Sequence, residues 1–271
     1  MAFQSASKDL LLVDVHAHLD HDKFKPDFDI MLAQAKAAGV KAIITNGVNP
    51  ASNEGLIALS KKDPIIKVAM GLYPLDALGL GADAAGLPTQ TGPVDMDAAL
   101  SYIESRKDDI VAIGEVGLDF KMDDKFHAAQ KVNFERIIAL SEKIKKPMII
   151  HSRGAESDIV AMLESSKVKK AVLHCFSGNK KLIQKAADLG LSFSIPANIV
   201  KMQHFQLLVS MVNSSQLLTE TDAPWLGPVS GVRNVPQNVR LAVEKIAEIK
   251  GLDIGEASML IFKNYQVLFL R

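Results

Sequence analysis

Short apolar runs rich in β-branched residues alternate along this chain with longer stretches whose apolar residues recur at helical spacing. The strand-like runs fall at 11–16, 42–46, 65–70, 110–115, 147–151, 171–174, 191–195 and 217–220. Each is apolar almost throughout rather than alternating, the pattern of a strand buried on both faces of a parallel sheet. Helical patterns occupy 30–38, 96–106, 126–145, 158–165, 180–189, 238–250 and 256–269. Strand and helix alternating over 271 residues match a TIM (β/α)8 barrel in number and length. A doubly wound open sheet is the alternative. No repeat or linker divides the chain, so residues 1–271 are expected to form a single domain. The stretch 79–93, rich in Gly, Ala and Pro, reads as a mobile loop after the third strand, either a lid or a plain surface excursion.

Polar residues interrupt this apolar pattern at the C-terminal ends of the strands. The first strand runs into His16-Ala17-His18. Side chains two apart on a strand share a face and lie about 6–7 Å apart at Cα, so both imidazoles can grip one ion. Glu115, His151 and His174 close the fourth, fifth and sixth strands, and Asp222 follows the eighth. In a barrel these ends converge on one mouth, where such proteins carry their sites. Each residue alone has a bland reading as a loop hydrogen-bonder. Together, four histidines and two carboxylates at the same end of their strands point to a metal site. His21, His127 and His204 lie in polar or helical contexts and are read as surface or helix residues. Strand alternation turns Cys175 away from His174, which predicts a packed thiol.

Composition narrows the function. Lys+Arg and Asp+Glu both number 31, so there is no broad basic footprint for nucleic acid, and a polyanion would have to be held locally. The lone cysteine excludes an internal disulfide and fits a reducing compartment. Residues 1–9 lack the apolar core of a signal peptide, and no run of ~18 apolar residues predicts a membrane span. The expected location is the cytoplasm, with no membrane association and no obligate protein partner.

HAH at 16–18, GEVGLDF at 114–120, HSR at 151–153, HCFSG at 174–178 and TETDAPWL at 219–226 resemble, in order and spacing, the TatD-type metal-dependent deoxyribonucleases. That family belongs to the amidohydrolase-like TIM barrels, and the likeness runs from about Leu11 to the last helix. It includes Arg233-Asn234-Val235-Pro236, similar to the family's RNxP element. The resemblance implies that His16, His18 and Asp222 bind one divalent ion, that His151 and His174 bind a second, and that Glu115 bridges them. Two ions, magnesium, manganese or zinc, would activate a water against a phosphodiester. Asp222 would accept the proton, and Glu220 would either orient the water or stand behind a ligand. Arg153, Arg233 and Asn234 would hold phosphates, the arginines through their bidentate fork. Trp225 would stack a base at the mouth or anchor a loop.

One element departs from the family pattern. Gly-x-His-Pro-His is replaced by Gly71-Leu72-Tyr73-Pro74-Leu75, so both histidines are missing. Tyr73, with a phenol of pKa ~10, holds its proton harder than an imidazole but can still donate a hydrogen bond to phosphate. Gly154 also stands where family members often carry an acidic residue. The expected activity is therefore hydrolysis, with single-stranded DNA ends as substrate. A small-molecule amidohydrolase or esterase with the same two ions is the alternative, and a non-catalytic metal protein a third.

Overall fold

Eight parallel strands form one sheet in the order β1 to β8: Leu12–Ala17, Val40–Asn46, Ile66–Met70, Ala112–Gly117, Met148–His151, Ala171–His174, Ser192–Pro196 and Leu217–Glu220. The structure, a computed structural model, describes residues 10–81, 86–121 and 123–270. The edge strands meet, closing the sheet into the predicted barrel. His16 O accepts from Asp222 N and Ala223 O from His18 N, each at 2.8 Å, and Ala17 bridges Ala223. Polar side chains reinforce this seam: Thr219 Oγ1 donates to Val13 O, and Thr221 bonds the buried Asp14 carboxyl through both its N–H and its hydroxyl. Burial of Asp14 pushes its pKa well above the usual carboxylate range, against the lowering effect of those Thr221 bonds.

The strands are buried because both faces are covered. Ile43, Ile44, Val68, Ile113, Ile149, Val172, Phe193 and Leu218 are all essentially inaccessible to solvent. The helices are Phe28–Ala37 (α1), Pro50–Ser60 (α2), Met96–Ser105 (α3), His127–Ile144 (α4), Glu156–Ser165 (α5), Lys180–Asp188 (α6), Gln203–Met211 (α7), Val239–Lys250 (α8) and Ile254–Phe269 (α9). Their starts are locally encoded. Asn49 caps α2 ahead of Pro50, Asp95 caps α3, Asn179 caps α6, and Asp253 with Glu256 forms a capping box on α9. Helix α9 packs across β1 and β8, where Leu11 N donates to Ser258 Oγ.

Two helices, α2 and α7, lie where no helical pattern is evident in the sequence. The first opens on polar Pro50-Ala51-Ser52-Asn53-Glu54-Gly55, and the second is a short segment next to a 3-10 turn at Ala197–Val200. Strands β1 and β4 also run one and two residues further than predicted, so His16 and Glu115 sit inside strands rather than at their last residue. Within the expected loop at 79–93, residues 82–85 lie outside the described residues. The part after them is docked: Gly86 O accepts from Asp22 N, Pro88 O accepts from Asn49 Nδ2, and Leu87 is buried.

Gly117 ends β4 at φ 137°, and a Cβ there would lie 2.0 Å from the His151 carbonyl oxygen. Only glycine lets β4 run this close to β5. Gly117→Ala is expected to cost about 2–4 kcal/mol of stability, measured by urea denaturation of wild type and variant.

Candidate metal centre

The mouth at the C-terminal ends of the strands gathers the six predicted ligands. His16 and His18 present their Nε2 atoms 3.2 Å apart. Glu115 Oε2 lies 3.6 and 3.4 Å from these two nitrogens, and Asp222 Oδ1 lies 3.6 and 3.5 Å from them. The other oxygen of Glu115, Oε1, faces a second pair of rings: 2.7 Å from His151 Nδ1 and 3.4 Å from His174 Nε2, which are themselves 3.3 Å apart. His16 stacks flat on His174 with centroids 3.9 Å apart, joining the two groups.

These spacings fit divalent ions. Bonds of ~2.0–2.2 Å arranged tetrahedrally put neighbouring ligand atoms about 3.3–3.6 Å apart. The His16–His18 distance and the distances from both rings to Glu115 and to Asp222, 3.2–3.6 Å, are of that size, and His16, His18 and Asp222 form one compact group of donor atoms. Paired imidazole nitrogens pointing at one another, buried and beside two carboxylates, make little sense as hydrogen bonds alone. The donor set, imidazole with carboxylate, suits zinc, manganese or similar ions.

The outward-facing nitrogens of the ligand rings decide which nitrogen faces the centre. His18 Nδ1 is 3.2 Å from Asn46 O, leaving Nε2 for the ion. His174 Nδ1 is 3.4 Å from Glu220 Oε2, which accepts from Ser194 Oγ at 2.5 Å. His151 Nε2 is 3.0 Å from Asp119 Oδ2. The charges are strongly coupled. Burial opposes ionisation of Glu115, but hydrogen bonds from His151, His16 and His174 outweigh it and hold its carboxyl well below the usual range. Burial also opposes protonation of His174, His151 and His18, yet the facing carboxylates raise all three. In His16, burial and the His174 charge win, and its pKa falls.

A cleft of about 410 Å³ opens over the centre, walled by Val48, Leu75, Leu87, Trp225 and Leu226 and by the polar groups Tyr73, Asp76 and Arg153. Tyr73 and Arg153 thus reach the mouth as predicted, but both are bound to Asp119. The phenol donates to Asp119 Oδ2 at 2.6 Å, and the Arg153 Nε donates to the same oxygen at 2.7 Å. Burial and the negative Glu115 and Asp119 push the Tyr73 pKa far above its ordinary value. Asp119 went unrecognised in the sequence; its place in GLDF, beside Glu115, was the available signal.

Other expectations need correcting. Arg233 is paired bidentately with Asp27, at 2.7 and 2.6 Å, over the Phe24 ring, and does not line the cleft. Asn234 is fully buried and donates to Thr221 O, bracing the Asp222 loop instead of meeting solvent. Glu220, also fully buried, lies 3.4 Å from His174 Nδ1 and does not line the cleft, the position of a group behind a ring. Cys175 lines the cleft, because its φ of 46° ends the strand and breaks the alternation. Burial and nearby Glu220, Asp222 and Glu115 push its thiol well above the usual range, so it packs as a neutral group. His21 is buried, not superficial, with its ring against Trp225, while His127 stacks on Phe120 and His204 contacts Phe176 O. Trp225 also packs edge-on against His18, at 5.1 Å. Gly154 is exposed and lines no part of the cleft.

A TIM barrel with histidines and carboxylates gathered at one mouth, able to hold divalent ions, defines the class: a metal-dependent hydrolase. Comparison with known proteins then gives the family. Residues 13–270 match the family of TatD related DNases, and the chain belongs to it. It is 32% identical over 263 residues to human deoxyribonuclease TATDN3, covering 95% of this chain and 94% of that one. It is 29% identical over 265 residues to an uncharacterized metal-dependent hydrolase of Methanocaldococcus jannaschii, covering 97% and 99%. Among solved structures, the TatD homolog YjjV of Escherichia coli superposes with a TM-score of 0.82 at 23% identity, covering 96% and 98%. The protein is a hydrolase acting on ester bonds. Among the described residues no helix is long and apolar enough to cross a membrane.

Asp76 is a second buried carboxyl that sequence reading passed over. It is 3% exposed; Oδ2 accepts from Asn49 Nδ2, and Oδ1 has no hydrogen-bond partner among the described residues. Gly81 lies so close that a Cβ there would overlap Oδ1. Burial first, and the negative Glu115 second, raise the Asp76 pKa to about 6 against the lowering effect of Asn49. A carboxyl with a raised folded pKa keeps its proton longer in the native state, so stability falls as pH rises from ~4 to ~6 and stays lower above. The stability difference between Asp76→Asn and wild type is therefore expected to move toward the variant by up to about 3 kcal/mol from pH 4 to pH 8. Parallel chemical denaturation at both pH values checks it, and an unchanged difference contradicts it.

Proposed function

We propose that this protein is a two-metal phosphodiesterase that shortens single-stranded DNA from an end. The observation that carries the reading is Glu115: one oxygen faces His16 and His18, the other His151 and His174. In this reading His16, His18 and Asp222 would hold one ion, His151 and His174 would hold a second, and Glu115 would contribute an oxygen to each. Magnesium, manganese and zinc are the candidates. Bound ions supply the acidity that turns water into a nucleophile near neutral pH, and neutralise charge on the phosphate.

The chain's own groups do the rest. Asp222, whose side chain is 16% exposed against 7% for Glu115, is the ligand carboxylate more open to the cleft and takes the proton of the attacking water. Arg153 binds a phosphate oxygen. Trp225 offers a ring face for a terminal base. A cleft of about 410 Å³ is the size of a small-molecule site and takes a chain end, not a duplex. The free thiol of Cys175 suits a reducing compartment, and the cytoplasm is the proposed place of work.

Metal-depleted protein reloaded with magnesium, manganese or zinc and assayed on end-labelled single-stranded DNA tests the reading. The expected result is stepwise shortening from one end, dependent on the ion. Glu115→Ala is expected to lose both ions and more than about 100-fold of the activity. Metal analysis finding two ions still bound in that variant excludes the bridge. A loaded wild type that leaves DNA intact but cleaves ester or amide probes transfers the site to a small-molecule substrate.

A further inference from the structure

We propose that Asp119 is a positioning residue serving the metal centre and the substrate site at once: it holds His151 with Nδ1 turned to Glu115, and holds Arg153 with one guanidinium nitrogen free for an anion. The first half stands on geometry alone. The second rests on the phosphodiesterase reading given above.

Asp119 is itself immobilised. It is fully buried, its N–H donates to Gln130 Oε1 at 2.7 Å, and its carbonyl accepts from Gln130 Nε2 at 2.8 Å. Oδ1 accepts from Lys121 N at 3.0 Å, which fixes the plane of the carboxylate. The whole of Oδ2 is then given to three side chains that line the cleft, whereas Asp119 does not line it. His151 Nε2 is at 3.0 Å, Tyr73 Oη at 2.6 Å, and Arg153 Nε and Nη2 at 2.7 and 2.5 Å.

Each contact constrains a different function. An imidazole gripped at Nε2 can offer only Nδ1 to an ion, and a carboxylate behind a ligand ring raises its basicity. The guanidinium, docked by its Nε/Nη2 edge, also reaches Tyr73 Oη from Nη2 at 3.3 Å. Nη1 has no hydrogen-bond partner among the described residues and belongs to a group lining the cleft. Tyr73 spends its proton on Asp119. It thereby holds the carboxylate plane from the side facing the cleft rather than acting on substrate.

The experiment compares Asp119→Asn, which keeps the shape and removes the charge, with Arg153→Met, which removes the cation and keeps the Asp119–His151 pair. Zinc affinity of each metal-free protein is measured by calorimetric competition with a chelator, and the melting temperature is recorded alongside. Asp119→Asn is expected to bind zinc about 10–100-fold more weakly, while Arg153→Met stays within about threefold of wild type. In zinc-loaded proteins hydrolysing bis(p-nitrophenyl) phosphate, both changes are expected to raise KM about 10-fold. The double variant is expected to add little to either single change in KM, since the two act on one contact. Wild-type zinc affinity in Asp119→Asn overturns the positioning of His151, as does equal loss of affinity in Arg153→Met, which would mark general destabilisation. Should Asp119→Asn fail to fold, unequal KM effects of Arg153→Met and Tyr73→Phe still decide the Arg153 half: Tyr73→Phe, which leaves the carboxylate in place, should move KM less than threefold, and a larger effect than that of Arg153→Met refutes the arrangement. A wild type that hydrolyses no phosphodiester sinks the phosphodiesterase reading and the anion role of Arg153, while the zinc measurements still judge His151.

Discussion

An ionised carboxylate at the mouth of a barrel, cut off from water, must be surrounded by positive charge. Glu115 is 5% exposed and its neighbours within 3.6 Å are four imidazoles. Taking such a group out of water costs several kcal/mol unless charges or strong hydrogen bonds offset it. That requirement accounts for most of the architecture above the barrel core. The two oxygens point apart, so the rings divide into two groups, and each ring must keep a nitrogen turned inward. The strand ends supply the rings because β1, β4, β5 and β6 are held in parallel register by the same backbone ladder.

A second layer keeps the rings from turning. Asn46 O and Asp119 each take the outward nitrogen of one histidine, Glu220 faces that of His174 at 3.4 Å, and the two carboxylates are themselves fixed, by Ser194 and by Gln130 with Lys121. The Asp222 loop is braced in the same way: Asn234 holds Thr221 O, Asp14 holds the Thr221 N–H and hydroxyl, and Asp222 N bonds back to His16 O across the seam. The bonds that close the barrel at the β1–β8 seam are thus also the bonds that place His16, His18 and Asp222 beside one another.

How much of this was legible in the sequence depends on the range of the interaction involved. Unbroken apolar runs report burial on both faces, and eight of them between helical stretches indicated the barrel. The six residues proposed as ligands could be read as one cluster because strand alternation is local and their positions share one rule. Failures came where the deciding partner is remote or the backbone turns. Arg233 looked like a phosphate clamp, but Asp27, distant in sequence, has taken its fork. Cys175 was turned to the wrong face because a positive φ is not encoded by a preference of cysteine. Asp119 was passed over because a carboxylate one turn beyond a strand gives no sign of which three side chains it will meet. Helix α2 escaped notice because its cap and proline are clear but its interior carries Gly55 and little apolar periodicity.

The same electrostatics make the site's own protons competitors for its ions. Burial lowers the pKa of His18, His151 and His174, but the facing carboxylates outweigh it and raise all three, His174 furthest. In the metal-free chain the facing carboxylates of Glu115 and Asp222 favour protons on these rings. An ion entering the site must displace those protons, so affinity weakens as pH falls, and each ion bound releases protons to solvent. Arg153 is exempt from this exchange: paired with Asp119 and always charged, it is, among the described residues lining the cleft, the cation whose charge does not depend on the state of the centre.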